Sequence, residues 1–368
     1  MSGSIMTNLI VTISDYANYG NRLQNYALQT ILDDYGETTT VYDRTNTTST
    51  QKVLKEDLRK SLFVVKAHIL RRQHLLELKR VKKCIAFTER YVPDDKFRMD
   101  DYQGFKAHGN ATFNRVIVGS DQVWNPQWIT ARDLELRLAS FAPADCPVIS
   151  YAASFGVSAI EDNSKLIFQK YLPNFKSISV REFRGAELVQ EITGLSATVV
   201  LDPTLMLSAE SWECIIGHFV PDDDCYVLTY FLGRPSDAQE KNIQDYAKEH
   251  GCRVRRILDN RDPETYVAGP QDFVELFSKA DYVFTDSYHA CCFSLLFHKQ
   301  FTVFNRAEMT GKANMNSRME TLFRLFNLDS VMMDEGLAPL IDYKEIDVLL
   351  ETHRVNSRHW LDDAMHVN

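Results

Sequence analysis

Residues 9–32 read LIVTISDYANYGNRLQNYALQTIL. The opening run Leu9–Ile13 is apolar and ends at Ser14-Asp15, as a buried strand would. A polar, glycine-containing turn follows over Tyr16–Gly20. Leu23, Tyr26, Ala27, Thr30 and Ile31 then recur at i, i+3, i+4, i+7 and i+8, which predicts a helix stopping near Gly36. Thr39–Tyr42 reads as a second strand. Strand, tight turn, helix and strand together open a doubly wound α/β domain.

The same style continues in both directions from this unit. Val116–Val118, Val148–Ala152, Ile178–Val180 and Val199–Leu201 are short apolar runs closed by polar residues, and Asp202-Pro203 must end the last of them. Tyr226–Leu232, Val254–Leu258, Tyr282–Thr285 and Phe301–Phe304 repeat the pattern, with helices expected at Gln239–His250, Ala290–Phe297, Met319–Phe326 and around Ile346–Leu350. The expected organisation is an N-terminal α/β domain over 1–205 with a basic helical insertion at about 52–90. A C-terminal α/β domain over 206–330 and a closing helical segment over 331–368 complete it. Ligand sites are then expected at strand carboxyl ends, in the cleft between the halves.

Composition narrows the classes. The chain has 368 residues, 45% hydrophobic and 25% charged, with net charge −9, which argues against a general nucleic-acid binder. No apolar run reaches the roughly 18 residues of a spanning helix, and the start M-S-G-S-I-M has neither a basic n-region nor an apolar core. Seven scattered cysteines without C-x-x-C point to free thiols in a reducing, cytoplasmic setting rather than to zinc or a disulfide framework. Ten basic residues against three acids lie between Lys55 and Lys83, interleaved with Leu62, Val65, Ile69, Leu75, Leu76 and Leu78. Such a helix either lies on an anionic membrane surface or packs one face on its own domain.

Four polar clusters close the strands. Asn18-Tyr19-Gly20-Asn21-Arg22 offers a glycine able to take φ > 0 and let a ligand approach the backbone, with free N–H groups beyond it for an anion or hydroxyl; a plain turn plus N-cap gives the same pattern. Gly119-Ser120-Asp121-Gln122-Val123-Trp124 offers a carboxylate to accept a hydroxyl proton and an indole to face a sugar; an Asp N-cap with a core Trp gives the same pattern. Arg181 follows a strand and suits a carboxylate or phosphate, or a salt bridge with Glu182 or another acid. In Thr285-Asp286-Ser287-Tyr288-His289 a strand delivers His289 to the N-terminus of an apolar helix, a position for binding an anion or passing a proton. Lys312 and Arg318 follow the next strand and are placed to reach the same cleft or to sit on a surface loop. There is no H-E-x-x-H, Walker loop, G-x-S-x-G or G-x-G-x-x-G.

Together, N-Y-G-N-R-L-Q-N-Y-A-L-Q (18–29), V-G-S-D-Q-V-W-N (118–125), S-Y-A-A-S-F-G (150–156), S-V-R-E (179–182), L-D-P-T (201–204), T-D-S-Y-H (285–289) and N-S-R-M-E-T-L (316–322) resemble the polysaccharide pyruvyl transferase family. The resemblance spans roughly residues 8–328. It implies two Rossmann-like domains facing a central cleft, as in glycosyltransferase B enzymes, with the acceptor on the N-terminal side and the donor on the C-terminal side. It also implies transfer of enolpyruvyl from phosphoenolpyruvate to two hydroxyls of a sugar, giving a pyruvate ketal and phosphate, without metal or redox cofactor. The expected donor site is Arg181, Ser287, His289, Lys312 and Arg318. Arg181 holds the carboxylate, and His289 holds the phosphate or donates a proton. The expected acceptor side is Gly20, Asn21, Arg22, Gln122 and Trp124, with Asp121 as hydroxyl base. One departure is Tyr288, where many members carry an arginine before the helix histidine. The acceptor in such pathways is often a lipid-linked hexose such as galactose on the cytoplasmic membrane face, which would give the basic helix over 55–83 a use. Two competing expectations are a nucleotide-sugar glycosyltransferase of the same architecture and a catalytically silent carbohydrate-binding protein.

Overall fold

The computed structural model describes residues 7–13, 15, 17–41, 72–92, 94–95, 113–221, 225–305 and 317–366. Two parallel sheets form. The first contains β1 (Thr7–Val11), β2 (Glu37–Val41), β3 (Asp94–Asp95), β4 (Phe113–Val118), β5 (Val148–Ala153), β6 (Ser177–Val180) and β7 (Thr198–Val199), in the order β3-β2-β1-β4-β5-β6-β7. The second contains β8 (Tyr226–Tyr230), β9 (Arg253–Ile257), β10 (Tyr282–Thr285), β11 (Gln300–Phe304) and β12 (Met332–Met333), in the order β12-β11-β10-β8-β9. All neighbouring pairs are parallel. Strands covered by helices on both faces lose the polar alternation of half-exposed sheets, which is why Tyr226–Tyr230, Tyr282–Thr285 and Val148–Ala153 are buried at every residue.

Strand order reverses at β1/β4 in the first sheet and at β8/β10 in the second. Crevices open at the carboxyl ends of strands at such points. The sheet changes between Val199 and Tyr226, and the helix Pro203–Met206 lies in that connection. The closing helix Tyr343–His366 returns to the first domain: Ser357 accepts from Leu201 N at 3.0 Å, and Arg358 pairs with Asp34 at 3.1 Å.

The halves share apolar packing. Tyr19 stacks on Phe273 with ring centroids 5.0 Å apart and donates its hydroxyl to Ala268 O at 2.7 Å. The helix Arg72–Tyr91 braces the same junction. Its Arg80 is buried and donates to Ala17 O at 2.6 Å, Glu77 accepts from Tyr266 at 2.8 Å, and Lys83 pairs with Asp272 at 2.5 Å. Arg80 of the expected basic face is therefore spent inside the protein and Lys83 is paired across the junction; Lys79, Lys82 and Lys83 are exposed, and the part before Arg72 lies outside the described residues. No helix among the described residues is long and apolar enough to cross a membrane.

The expectation of free thiols is corrected at one place. Cys225 and Cys252, just before β8 and β9, form a disulfide with Cα atoms 4.9 Å apart. Parallel pairing of these strands joins residues 27 apart in sequence, which no short spacing reveals. Cys84, Cys146, Cys214, Cys291 and Cys292 are free.

Candidate active site

Both topological switch points open onto one cleft of about 260 Å³. Behind β1 come Ile13, Asp15, Asn18 and Asn21; behind β4 come Asp121, Gln122 and Trp128. Tyr230 and Leu232 end β8, and Asp286, Ser287, Tyr288 and His289 follow β10. Arg318, Asn305 and an apolar wall of Val303, Phe304, Met319 and Met332 complete the lining.

Asp121 is the hub of the floor. It sits in the left-handed region at φ 66°, where a non-glycine residue is uncommon and backbone strain is often tied to function. Its carboxylate accepts from Asn21 Nδ2 at 3.2 Å and pairs with Arg181 at 3.3 Å, with Arg318 at 4.0 Å. Burial pushes its carboxyl pKa up, but Arg181, then His289 and Arg318, pull it the other way and hold it well below the usual range. Arg181 is fully buried and also pairs with the buried Asp202 at 2.5 Å. Asp202 in turn lies 3.8 Å from His289 Nε2. Two aspartates and two arginines thus balance in charge, Asp121 and Arg318 at the cleft floor and Arg181 and Asp202 beneath it, with His289 at its edge.

His289 stands in the first turn of the helix Tyr288–Leu296, whose N-cap Ser287 makes no side-chain cap bond, leaving helix-end N–H groups uncapped. Burial, aided by Arg181 and Arg318 and opposed by Asp202 and Asp121, lowers its pKa, so the imidazole is neutral near pH 7. Burial and neighbouring Arg181 lower Arg318 to about 10, which leaves it charged at neutral pH. Gln122 satisfies its neighbours when its amide oxygen faces Arg318, at 2.6 and 3.2 Å. Tyr288 is not merely a missing arginine: Arg181 lies 4.5 Å and Arg318 5.8 Å from its ring centroid, so the phenol ring supports both guanidinium groups.

The structure brings Asp121, Gln122, Ser287, His289, Asn21 and Arg318 to the cleft. Other expected positions lie differently. Trp124 is fully buried among Phe155, Phe168 and Phe175, so it cannot face a sugar. Arg22 is buried and donates to Ile13 O at 2.9 Å and to Asn21 Oδ1, holding the turn rather than facing an acceptor. Arg181, between its two aspartates, does not line the cleft and so cannot itself hold a substrate carboxylate. Gly20 is helical, within Tyr19–Leu32, and does not take positive φ; its role is close approach, since a Cβ there would lie 2.1 Å from His289 Nδ1. Lys312 lies outside the described residues.

Sequence reasoning gave no role to Asp202 or Trp128, and offered Glu182 as a salt-bridge partner of Arg181, which pairs with Asp202 and Asp121 instead. Glu182 Oε1 accepts from Ser154 Oγ at 3.0 Å and from the N–H groups of Phe155 (2.8 Å) and Gly156 (3.2 Å), fixing the loop beside Gln122. Asp202 carried a signal, since it closes a strand before a proline, but its partners lie far away in sequence. Among the described residues, metal-ligand spacing occurs only at Cys225, Cys252 and Asp281, at the opposite ends of the strands, where the two sulfurs are bonded to each other.

Paired parallel-sheet domains with a polar cleft at both switch points define the glycosyltransferase B architecture. A structure from Listeria monocytogenes named for UDP-N-acetylglucosamine 2-epimerase is similar, with TM-score 0.51 and 11% identity over 99% of this chain and 91% of that one. Two others are an S. aureus MnaA–UDP co-structure (TM-score 0.47, 11% identity, 96% and 98% covered) and Arabidopsis thaliana UGT89C1 (TM-score 0.45, 13% identity, 98% and 94% covered). A search of curated protein sequences finds no match. The polysaccharide pyruvyl transferase model matches residues 18–308, and the chain belongs to that family.

Proposed function

We propose that this protein moves the enolpyruvyl group of phosphoenolpyruvate onto two hydroxyls of a hexose, such as galactose on a lipid-linked or polysaccharide precursor, releasing phosphate. The observation that carries this reading is the division of the cleft. Its second-domain side holds Arg318, His289 and an uncapped helix N-terminus, which suit an anion, while its first-domain side holds Asp121, Asn18 and Gln122, which suit hydroxyls.

The chemistry follows from charge. Protonating the methylene carbon makes C2 cationic, one sugar hydroxyl bonds to it, the C2–O–phosphate bond breaks, and the neighbouring hydroxyl closes the ketal. Of the two hydroxyl protons, one balances the new methyl group and the other leaves on phosphate. Neutral His289 gains a proton when a dianionic phosphate arrives beside it, because an opposite charge favours the charged form. The buried Asp202 stabilises that imidazolium from behind, and it then serves as proton donor. Asp121 stays ionised and takes the proton of the attacking hydroxyl, which is strongly acidic once bonded to the cationic carbon. Arg318 offsets charge on the leaving phosphate. No step in this scheme calls for a metal or a redox cofactor. The exposed Lys79 and Lys82, with the basic residues before them, are the groups proposed to meet an anionic cytoplasmic membrane face.

Calorimetric titration with phosphoenolpyruvate beside a panel of nucleotide sugars tests the reading. Saturable binding of phosphoenolpyruvate alone, lost in His289→Ala, supports it; binding of a nucleotide sugar alone overturns it.

A further inference from the structure

We infer that Trp128 is a stacking platform for a hexopyranose ring at the mouth of the cleft. This rests on the transferase reading and adds to it where the acceptor lies. Eight large hydrophobic side chains are well exposed among the described residues; only Trp128, at 66%, is aromatic, and only Trp128 and Leu232 line the cleft. Burying an indole contributes more than burying any other side chain of the first domain's cleft lining would, so leaving it in water at a cleft mouth leaves a large binding contribution unused in the free protein.

The indole is held on a short, fixed support. Trp124 anchors the segment in the core, Asn125 Oδ1 accepts from Gln127 N at 3.0 Å, and Pro126 opens the single turn Pro126–Trp128. Immediately after it, Thr130 and Asp133 form a reciprocal capping box at the helix Ala131–Arg137. A platform anchored at both ends loses little conformational entropy on binding.

The chemistry of the surrounding side selects the ligand. Among the described lining residues the one Lys or Arg is Arg318, which reaches Gln122 and Asp121 from the second domain; the first-domain side, which carries Trp128, offers carboxylates and amides at Asp15, Asn18, Asp121 and Gln122. A pyranose presents an apolar C–H face, which suits the electron-rich indole face, and a rim of hydroxyls, which suits those acceptors. A nucleobase would stack equally well, so UDP is the competing ligand that the titration must separate from a hexopyranoside.

The experiment uses the intact protein and its intrinsic fluorescence. Of the four tryptophans, Trp124 and Trp212 are fully buried and Trp360 is partly buried against Tyr151, so Trp128 is the most exposed and its share of the emission is the difference between wild type and Trp128→Phe. Methyl galacto-, gluco- and mannopyranosides are titrated into wild type and Trp128→Phe, with UDP as a parallel arm. A saturable blue shift with at least one hexopyranoside, absent in Trp128→Phe, is expected. By calorimetric titration, which does not need the indole as reporter, Trp128→Ala is expected to weaken that sugar by roughly tenfold while phosphoenolpyruvate affinity is unchanged. A response to UDP but to none of the sugars, or sugar binding unaffected in Trp128→Ala, overturns the platform; so does no response to any titrant. Failure of wild type to bind phosphoenolpyruvate would instead sink the transferase reading, whatever the sugars do.

Discussion

His289 and Gly20 occupy adjoining space so closely that a single added carbon on Gly20 would lie 2.1 Å from His289 Nδ1. Gly20 opens the first helix of the first domain and His289 the helix after β10 of the second, so the imidazole is seated on the partner domain's backbone. Gly20→Ala suits a helix by intrinsic propensity, by about 1 kcal/mol. It must nevertheless push the ring off its seat, and misplacing a reacting group by about 1 Å costs on the order of 10²-fold in rate. The expected result is a kcat near that of His289→Ala, a denaturant midpoint close to wild type, and no further loss in the double variant. Wild-type turnover in Gly20→Ala would show that the seat does not matter.

Asp202 supplies a stability prediction. Asp202→Ala leaves the Arg181 guanidinium buried with one of its two carboxylates gone, and breaking such a pair costs about 3–5 kcal/mol. Urea unfolding should show a lower midpoint at unchanged slope. Asp202 and Asp121 both have pKa values depressed by Arg181 despite the opposing effect of burial. Their contribution is therefore fully present above the unfolded value of about 4 and is lost as pH falls from there toward the folded values. Wild type should lose stability in that acid window, and Asp202→Asn should lose it less steeply.

These relationships mark where the sequence stops being legible. The strand-turn-helix unit at 9–32 and most later strands are readable because buried parallel strands are written as apolar runs. Asp121 is readable because it ends one. Trp124, three residues on, is misread because sequence proximity does not say which way a side chain points: Asp121 faces the cleft and Trp124 the core. Arg181 is misread because its acids lie 60 and 21 residues away and only the fold joins them. Gly20 is singled out for positive φ and for close approach of a ligand; the structure keeps the close approach but gives it to the His289 ring, with φ in the helical region. Trp128 has no periodic or motif signal at all.

Trp124→Ala tests the core assignment. Removing a fully buried indole packed among three phenylalanines should cost about 3–5 kcal/mol of stability, read as a lower melting temperature. Trp124→Phe should recover most of it and keep wild-type KM for the acceptor. A selective rise in that KM with unchanged stability would return Trp124 to the acceptor site.

The charge state of His289 can be read directly. Burial keeps its pKa below the usual 6.5 in the free protein, so its ring protons should titrate at lower pH than an exposed histidine's. Because the folded value is lowered, this group opposes folding as pH falls through the unfolded value, the reverse of a histidine held by a salt bridge. Adding inorganic phosphate should move the midpoint upward in wild type. A midpoint that ignores phosphate would remove His289 from the donor site.

Arg318 carries the remaining prediction, because its position differs from that of Arg181 in one respect. Arg181 is consumed by two carboxylates at 3.3 and 2.5 Å, whereas the nearest carboxylate to Arg318, that of Asp121, is 4.0 Å away. Arg318 also lines the cleft. A hydrogen bond from such a charged group to an anionic ligand contributes about 1.5–3 kcal/mol, so Arg318→Ala should weaken phosphoenolpyruvate by roughly 10- to 100-fold. Arg318→Lys keeps the charge and loses the planar fork, and should fall between the two. The stability loss should be smaller than in Asp202→Ala, since Arg318 lies 4.0 Å from Asp121 while Arg181 remains at 3.3 Å, which separates this variant from those at Asp202. If Arg318→Ala binds phosphoenolpyruvate as tightly as wild type, the anion is held elsewhere, and Lys312→Ala becomes the variant that must lose it.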